Sequence, residues 1–241
     1  MAYLSRLLTD IPGIHHSFLD VHESAAFDKS LLVDIKQVHG PDLLCLTEIP
    51  QQRPHVDGVI TTLTAQKIGI VTADCLPLLM ASRDGRVIAS VHAGWRGTAA
   101  GIVQHTVRQF AASGVPASEI IVAIGPHIRA CCYEVSEAFY PALVQTPAHK
   151  IVTRNQDKLF FSSPQNPNSL SAHARENHSQ WFDLPAFCLL NLEEAGIPAE
   201  NVEVLAQCTY CTPEDLGSYR RRTHVPATKT QQVSWIGKKQ A

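Results

Sequence analysis

Ten short apolar or alternating runs recur along the chain, most of them only a few residues apart. They are Leu31–Val38, Asp42–Thr47, Asp57–Thr61, Ile68–Ala73, Leu76–Ala81, Val87–Val91, Glu119–Ile124, Lys158–Ser162, Val202–Ala206 and Gln232–Ile236. Runs of this length and pattern read as strands. Such short gaps favour antiparallel pairing, because a parallel pair needs a crossover of a dozen or more residues. Arg83-Asp84-Gly85-Arg86 has the chemistry of a hairpin turn. Three helical stretches stand among the strands. Thr98–Ala112 repeats Ala99, Val103, Val107 and Phe110 at helical spacing and stops at Gly114. Glu134–Val144 follows the Gly125-Pro126 turn, and Asp183–Ala195 opens on an N-cap Asp with Pro185 in its first turn. Strands and helices without strict βαβ alternation predict an α/β (α+β) domain of mixed, largely antiparallel sheets flanked by helices. Asn155–Asn177, rich in Ser, Asn and Pro, reads as a surface loop or lid.

Size and charge narrow the class. With 241 residues and 45% hydrophobic content, the chain suits one domain over residues 1–241. The net charge of −2, without a polybasic tract, gives no support to a nucleic-acid or membrane-surface role. Met1–Asp20 lacks a basic region followed by an apolar one, so no signal peptide is expected, and no run approaches a membrane span. Seven cysteines, an odd number, argue against a disulfide framework and for a reducing, cytoplasmic setting.

Several of the runs end on residues that can carry chemistry. Val87–Val91 leads into His92-Ala93-Gly94-Trp95-Arg96-Gly97-Thr98, a strand–turn–helix junction with two glycines, a metal-capable His and a permanent cation. A helix opening at this turn would attract anions. Leu31–Gln37 ends on Val38-His39-Gly40, and Ile68–Ala73 ends on Asp74-Cys75. Two His and one Cys suffice for a catalytic zinc with an open fourth position. The spacings of 36 and 17 residues match no local zinc motif, so a small buried Cys75 and two hydrogen-bonded His remain the alternative. Asp74 caps its turn, orients a ligand or shuttles a proton.

Cys208-Thr-Tyr-Cys211 is a CxxC pair without a second CxxC to complete a zinc site, and reads as structural. A nucleobase-deaminase zinc motif is excluded, because no His has Glu two residues later and Gln207 precedes Cys208. Ser218-Tyr219-Arg220-Arg221-Arg222 is either an anion-binding cluster or a solvated basic turn. The chain has no His-x-His pair of the kind that builds a multicopper centre.

Read in order, Gln37-Val38-His39-Gly40, Thr72-Ala73-Asp74-Cys75-Leu76-Pro77, Val91-His92-Ala93-Gly94-Trp95-Arg96-Gly97, Ile124-Gly125-Pro126-His127-Ile128 with Tyr133-Glu134-Val135, and Cys208-Thr209-Tyr210-Cys211 with Ser218-Tyr219-Arg220-Arg221 resemble the YfiH-like family. That family was long labelled polyphenol oxidase or laccase-domain. The resemblance runs from about Val33 to Ile236. It implies a single-domain layered sandwich similar to the catalytic domain of cytotoxic necrotizing factor. It also implies zinc, with copper as a second option, held by His39, Cys75 and His92. The implied activity is phosphorolysis of adenosine, inosine, guanosine and methylthioadenosine, plus deamination of adenosine. The implied partners are purine nucleosides and phosphate, with neither nucleic acid nor membrane, in a monomer or homodimer. Arg96, and then Arg220 or Arg221, are the phosphate contacts expected. Two rival chemistries stand beside this one: a thiol hydrolase or deamidase built on Cys75 and His92, and a copper-dependent phenol oxidase. The chain departs from the family pattern at His16–His22, at Leu216-Gly217 and at Thr228-Lys229, positions expected to alter substrate preference and one anion contact but not the triad.

Overall fold

The computed structural model describes residues 2–166 and 180–239. Its strands are β1 (Ile14–Phe18), β2 (Leu43–Leu46), β3 (Gly58–Thr61), β4 (Ile68–Thr72), β5 (Leu76–Ser82), β6 (Ile88–Ala93), β7 (Ile120–Ile124), β8 (Glu134–Val135), β9 (Phe160–Phe161), β10 (Gln180–Phe182), β11 (Val202–Val204) and β12 (Gln232–Lys238). The main helices are α1 (Trp95–Ala100), α2 (Ile102–Ala112), α3 (Phe139–Leu143), α4 (Leu184–Glu194) and α5 (Tyr219–His224).

A six-stranded sheet of order β11-β7-β5-β6-β3-β2 forms the middle layer. Its outer pairs, β2–β3 and β11–β7, are parallel and the rest antiparallel. Both faces are buried, and the alternation along β5 shows it. Leu76, Leu78 and Met80 join the core under the helices α2 and α4. Leu79 and Ala81 join a second core against the three-stranded sheet β1-β12-β4. Strands covered on both sides read as continuous apolar runs, which is why β5, β6 and β7 stood out in the sequence. Phe110 of α2 is fully buried in the first core, where truncation to Ala would cost about 3–5 kcal/mol. A third small sheet, β8-β10-β9, lies beside an aromatic cluster of Tyr133, Phe139, Phe160 and Phe182.

The architecture is the expected mixed α/β fold with mostly antiparallel sheets. The Arg83–Arg86 turn joins β5 to β6, with Gly85 in the left-handed region. Several local expectations are corrected. Leu31–Val38 is not a strand: it makes only isolated bridges at Leu32 and Lys36. The side-chain amide of Gln37 occupies the edge of β4 instead, donating to the Val71 carbonyl and accepting its N–H at 2.9 and 2.8 Å. The helix expected over Thr98–Ala112 begins earlier and is broken at Gly101, whose φ of 98° ends α1 and admits α2. Glu134–Val144 splits, because Glu134 and Val135 pair with β10 and leave only α3 helical. Strand β1 carries two His and was not expected, yet it pairs along its length with β12. Lys158–Ser162 contributes only the two residues of β9; the expected loop Asn155–Asn177 instead opens with a helical turn, Gln156–Leu159, and its part from 167 onward lies outside the described residues.

Candidate metal centre and anion cleft

His39, Cys75 and His92 meet. Their ligand atoms all lie within 4.8 Å of one another, although the residues come from three separate segments. His92 is the penultimate residue of β6, and Cys75 immediately precedes β5, its antiparallel neighbour. His39 sits in the loop before β2 with φ +62°, a conformation an unbranched L-residue rarely adopts without support. Its ring crosses that of His92 at 4.7 Å between centroids. Gly94 lets the backbone pass close to the sulfur, since a Cβ there would lie 2.9 Å from Cys75 Sγ.

The residue that assembles the centre is Asp57, which sequence reasoning missed. It is fully buried at the head of β3. Its carboxylate takes the Nδ1 of His92 at 2.7 Å and accepts the N–H groups of Val38, His39 and Gly40 at 3.0, 2.8 and 2.7 Å. One side chain thus orients one His and holds the strained loop that carries the other. Burial opposes charge on Asp57, but the bonds from His92 and the three amides outweigh it and hold its pKa below the usual range. With Nδ1 of His92 engaged by Asp57, Nε2 is the nitrogen left to face the centre. Burial would suppress the charge of His92, yet hydrogen bonds to Asp57 and Cys75 raise its pKa to about 9. Burial opposes a thiolate at Cys75 as well, and hydrogen bonds from His39 and His92 lower its pKa to about 7. The only signal for Asp57 was an acidic residue opening a short strand-like run, Gly58–Thr61.

Asp74 has φ +91° and is buried. Its carboxylate accepts from Thr209 Oγ1 at 2.6 Å and from the Arg220 N–H at 2.7 Å, and its carbonyl accepts the Ile128 N–H at 2.9 Å. It therefore ties three loops to the strand end beside Cys75. Burial, the largest influence, raises its pKa against these bonds.

A cleft of about 950 Å³ opens over the three residues. Seven Lys and Arg and only two Asp line it among the described residues, so its field favours anions. Arg96 and Arg220 are both in the lining. Arg96 sits in the first turn of α1 and stacks over Trp95 at 4.5 Å. Arg220 lies over Tyr133 at 5.3 Å and is paired with the buried carboxylate of Glu134. Lys229, at one of the positions that departs from the family pattern, also reaches the cleft. Arg221 does not. Its guanidinium donates to the carbonyls of Thr209, Tyr210 and Leu216, which makes it a brace for the 209–216 loop rather than an anion contact.

Comparisons with known proteins give the chain its family. Residues 14–237 match the family described as multi-copper polyphenol oxidoreductase laccase. Purine nucleoside phosphorylase slr1573 of Synechocystis is 34% identical over 212 residues, covering 84% of this chain and 77% of the relative. Purine nucleoside phosphorylase RC0672 of Rickettsia conorii is 32% identical over 199 residues, covering 83% and 74%. Among solved structures, YlmD from Geobacillus stearothermophilus superposes with a TM-score of 0.72 at 25% identity, covering 98% of this chain and 94% of that one. The Bacillus licheniformis protein YfiH gives 0.74 at 20% identity, covering 94% and 93%. No described helix is long and apolar enough to cross a membrane. The chain belongs to the laccase-domain family of multi-copper polyphenol oxidoreductase description, together with its YfiH- and YlmD-like relatives named purine nucleoside phosphorylases.

Proposed function

We propose that this chain is a cytoplasmic, zinc-dependent purine nucleoside phosphorylase. It would cleave adenosine, inosine, guanosine and methylthioadenosine with phosphate, and deaminate adenosine as a side activity. The observation that carries the reading is the meeting of His39, Cys75 and His92 at the floor of a cationic cleft. Relatives identical to it at about a third of the aligned residues carry the phosphorylase name.

The donor set fits zinc: two imidazoles and one thiol converge, one imidazole is fixed by a carboxylate behind it, and the cleft leaves a fourth direction open. Zinc held by these three residues would supply Lewis acidity toward an oxygen of the bound reactants. The remaining work falls to the protein. Arg96 and Arg220 bind phosphate and set it against the ribose C1′, where forked guanidinium donors match phosphate oxygens. Trp95 and Tyr133 give the cleft aromatic walls against which a purine stacks. Asp57 keeps His92 in one tautomer and one orientation throughout. Asp74 holds the first turn of α5, which carries Arg220, against the cleft wall.

A copper oxidase is the weaker reading. Among the described residues only two clusters have metal-ligating potential, and neither supplies the many His of a trinuclear copper site. A thiol hydrolase draws on one specific observation, the Cys75 thiol flanked by two His. The test is to strip the purified protein with chelator, reload it with zinc or copper, and follow inosine phosphorolysis and iodoacetamide uptake. The zinc reading expects activity to return with zinc and Cys75 to resist alkylation while zinc is bound. Activity in metal-free protein, lost on alkylation of Cys75, would replace it with the thiol mechanism.

A further inference from the structure

A second cluster of sulfur lies away from the cleft. Cys131 and Cys132 come from the turn that follows β7, and Cys208 and Cys211 from the loop that follows β11. These strands are parallel neighbours, paired from Val202 and Val122 to Val204 and Ile124. Their extensions stay together: Leu205 N–H donates to Ile124 O, His127 N–H to Gln207 O, and Thr209 N–H to His127 O. The fold thus delivers, beside the CxxC pair, the second pair of cysteines that sequence spacing could not find.

The four sulfurs lie within 4.8 Å of one another. The separations are 3.6 Å for Cys131–Cys208, 3.8 Å for Cys131–Cys211 and 3.2 Å for Cys132–Cys211. A tetrahedron of sulfurs about 2.3 Å from a central zinc has edges of about 3.8 Å. Cys132 is fully buried and Cys131 and Cys208 nearly so, as a closed structural site requires. Arg221 spreads its guanidinium over the carbonyls of Thr209 and Tyr210, between two of the cysteines, where a cation offsets the excess negative charge of four thiolates.

We propose that Cys131, Cys132, Cys208 and Cys211 form a structural tetrathiolate zinc site, separate from the His39–Cys75–His92 centre. Its consequence reaches the cleft through one residue. Thr209 lies between two of the ligands and donates to Asp74, the neighbour of Cys75. Metal in the tetrathiolate site would clamp the two loops together and so hold Asp74 and the Arg220 N–H that it accepts.

Zinc analysis of the full-length protein, purified without oxygen, tests the proposal together with zinc-edge X-ray absorption. A His39→Ala/Cys75→Ala/His92→Ala variant is expected to retain about one zinc per chain with an all-sulfur shell. A Cys208→Ser/Cys211→Ser variant is expected to lose that zinc. Should this variant fail to fold, the shell of the wild type decides: sulfur ligands outnumbering nitrogen support the site. A shell dominated by nitrogen overturns it, as does a folded triad variant that holds no zinc. A Cys132–Cys211 disulfide in anaerobically purified protein also overturns it.

Discussion

Asp57 and His92 are joined by a 2.7 Å hydrogen bond in the interior, and the same carboxylate holds the backbone of Val38, His39 and Gly40. The position of the first His therefore depends on the residue that orients the second. An Asp57→Asn variant keeps the volume but sets an N–H₂ against either an amide or the ring. Metal affinity is expected to fall about 10- to 100-fold, the usual effect of losing a carboxylate behind a ligand. Competition with a chromophoric chelator measures it, and an unchanged affinity would show that Asp57 is scaffold only.

Gly94 is a second point where position and chemistry coincide. A Cβ there would meet Cys75 Sγ at 2.9 Å. Gly94→Ala is expected to shift the sulfur and weaken metal binding while the far-ultraviolet circular dichroism stays that of the wild type. Full metal occupancy in Gly94→Ala would contradict this account of the turn.

The three arginines separate by role. Arg96→Gln and Arg220→Gln remove cations that line the cleft, and each is expected to raise KM for phosphate roughly tenfold or more, since a charge-assisted hydrogen bond is worth about 1.5–3 kcal/mol. Arg221→Gln removes donors to three carbonyls and is expected to lower Tm with little change in that KM. The reverse pattern, with phosphate KM moved by Arg221 alone, would reassign the anion site.

His16 gives the fold a pH dependence of its own. It is buried in β1, and its Nε2 accepts the Ser5 N–H at 2.8 Å, so it must be neutral there. Burial lowers its pKa from 6.5 to about 4. Between those values the unfolded chain binds a proton that the folded chain does not, so stability falls as pH drops from about 6.5 to about 4. Urea midpoints across that range are expected to decline in the wild type and to decline less in His16→Gln, whose amide can still accept the bond. Parallel slopes would place the acid sensitivity elsewhere.

Much of this was legible in the sequence because burial writes itself into composition. Strands β5, β6 and β7, covered on both faces, appear as largely apolar runs, and the three metal-capable residues were visible where the turns begin. What stayed hidden depended on contacts far apart in sequence. Nothing local marks Asp57 as the partner of residues 38–40 and 92. Gln37 replaces a strand with a side-chain amide, which no apolar pattern reports. Cys131-Cys132 and Cys208-x-x-Cys211 become neighbours only through the parallel pairing of β7 with β11. Arg220 and Arg221 looked equivalent in the sequence; the structure puts Arg220 in the cleft lining and turns Arg221 onto the carbonyls of Thr209, Tyr210 and Leu216.

The most direct test is phosphate-dependent release of hypoxanthine from inosine, with bound metal measured on the same samples. The wild type is expected to release hypoxanthine only with phosphate present, yielding ribose 1-phosphate. His39→Ala, Cys75→Ala and His92→Ala are each expected to lose that rate together with the metal of the cleft. Wild-type rate and metal content in all three variants would contradict the assignment of the centre.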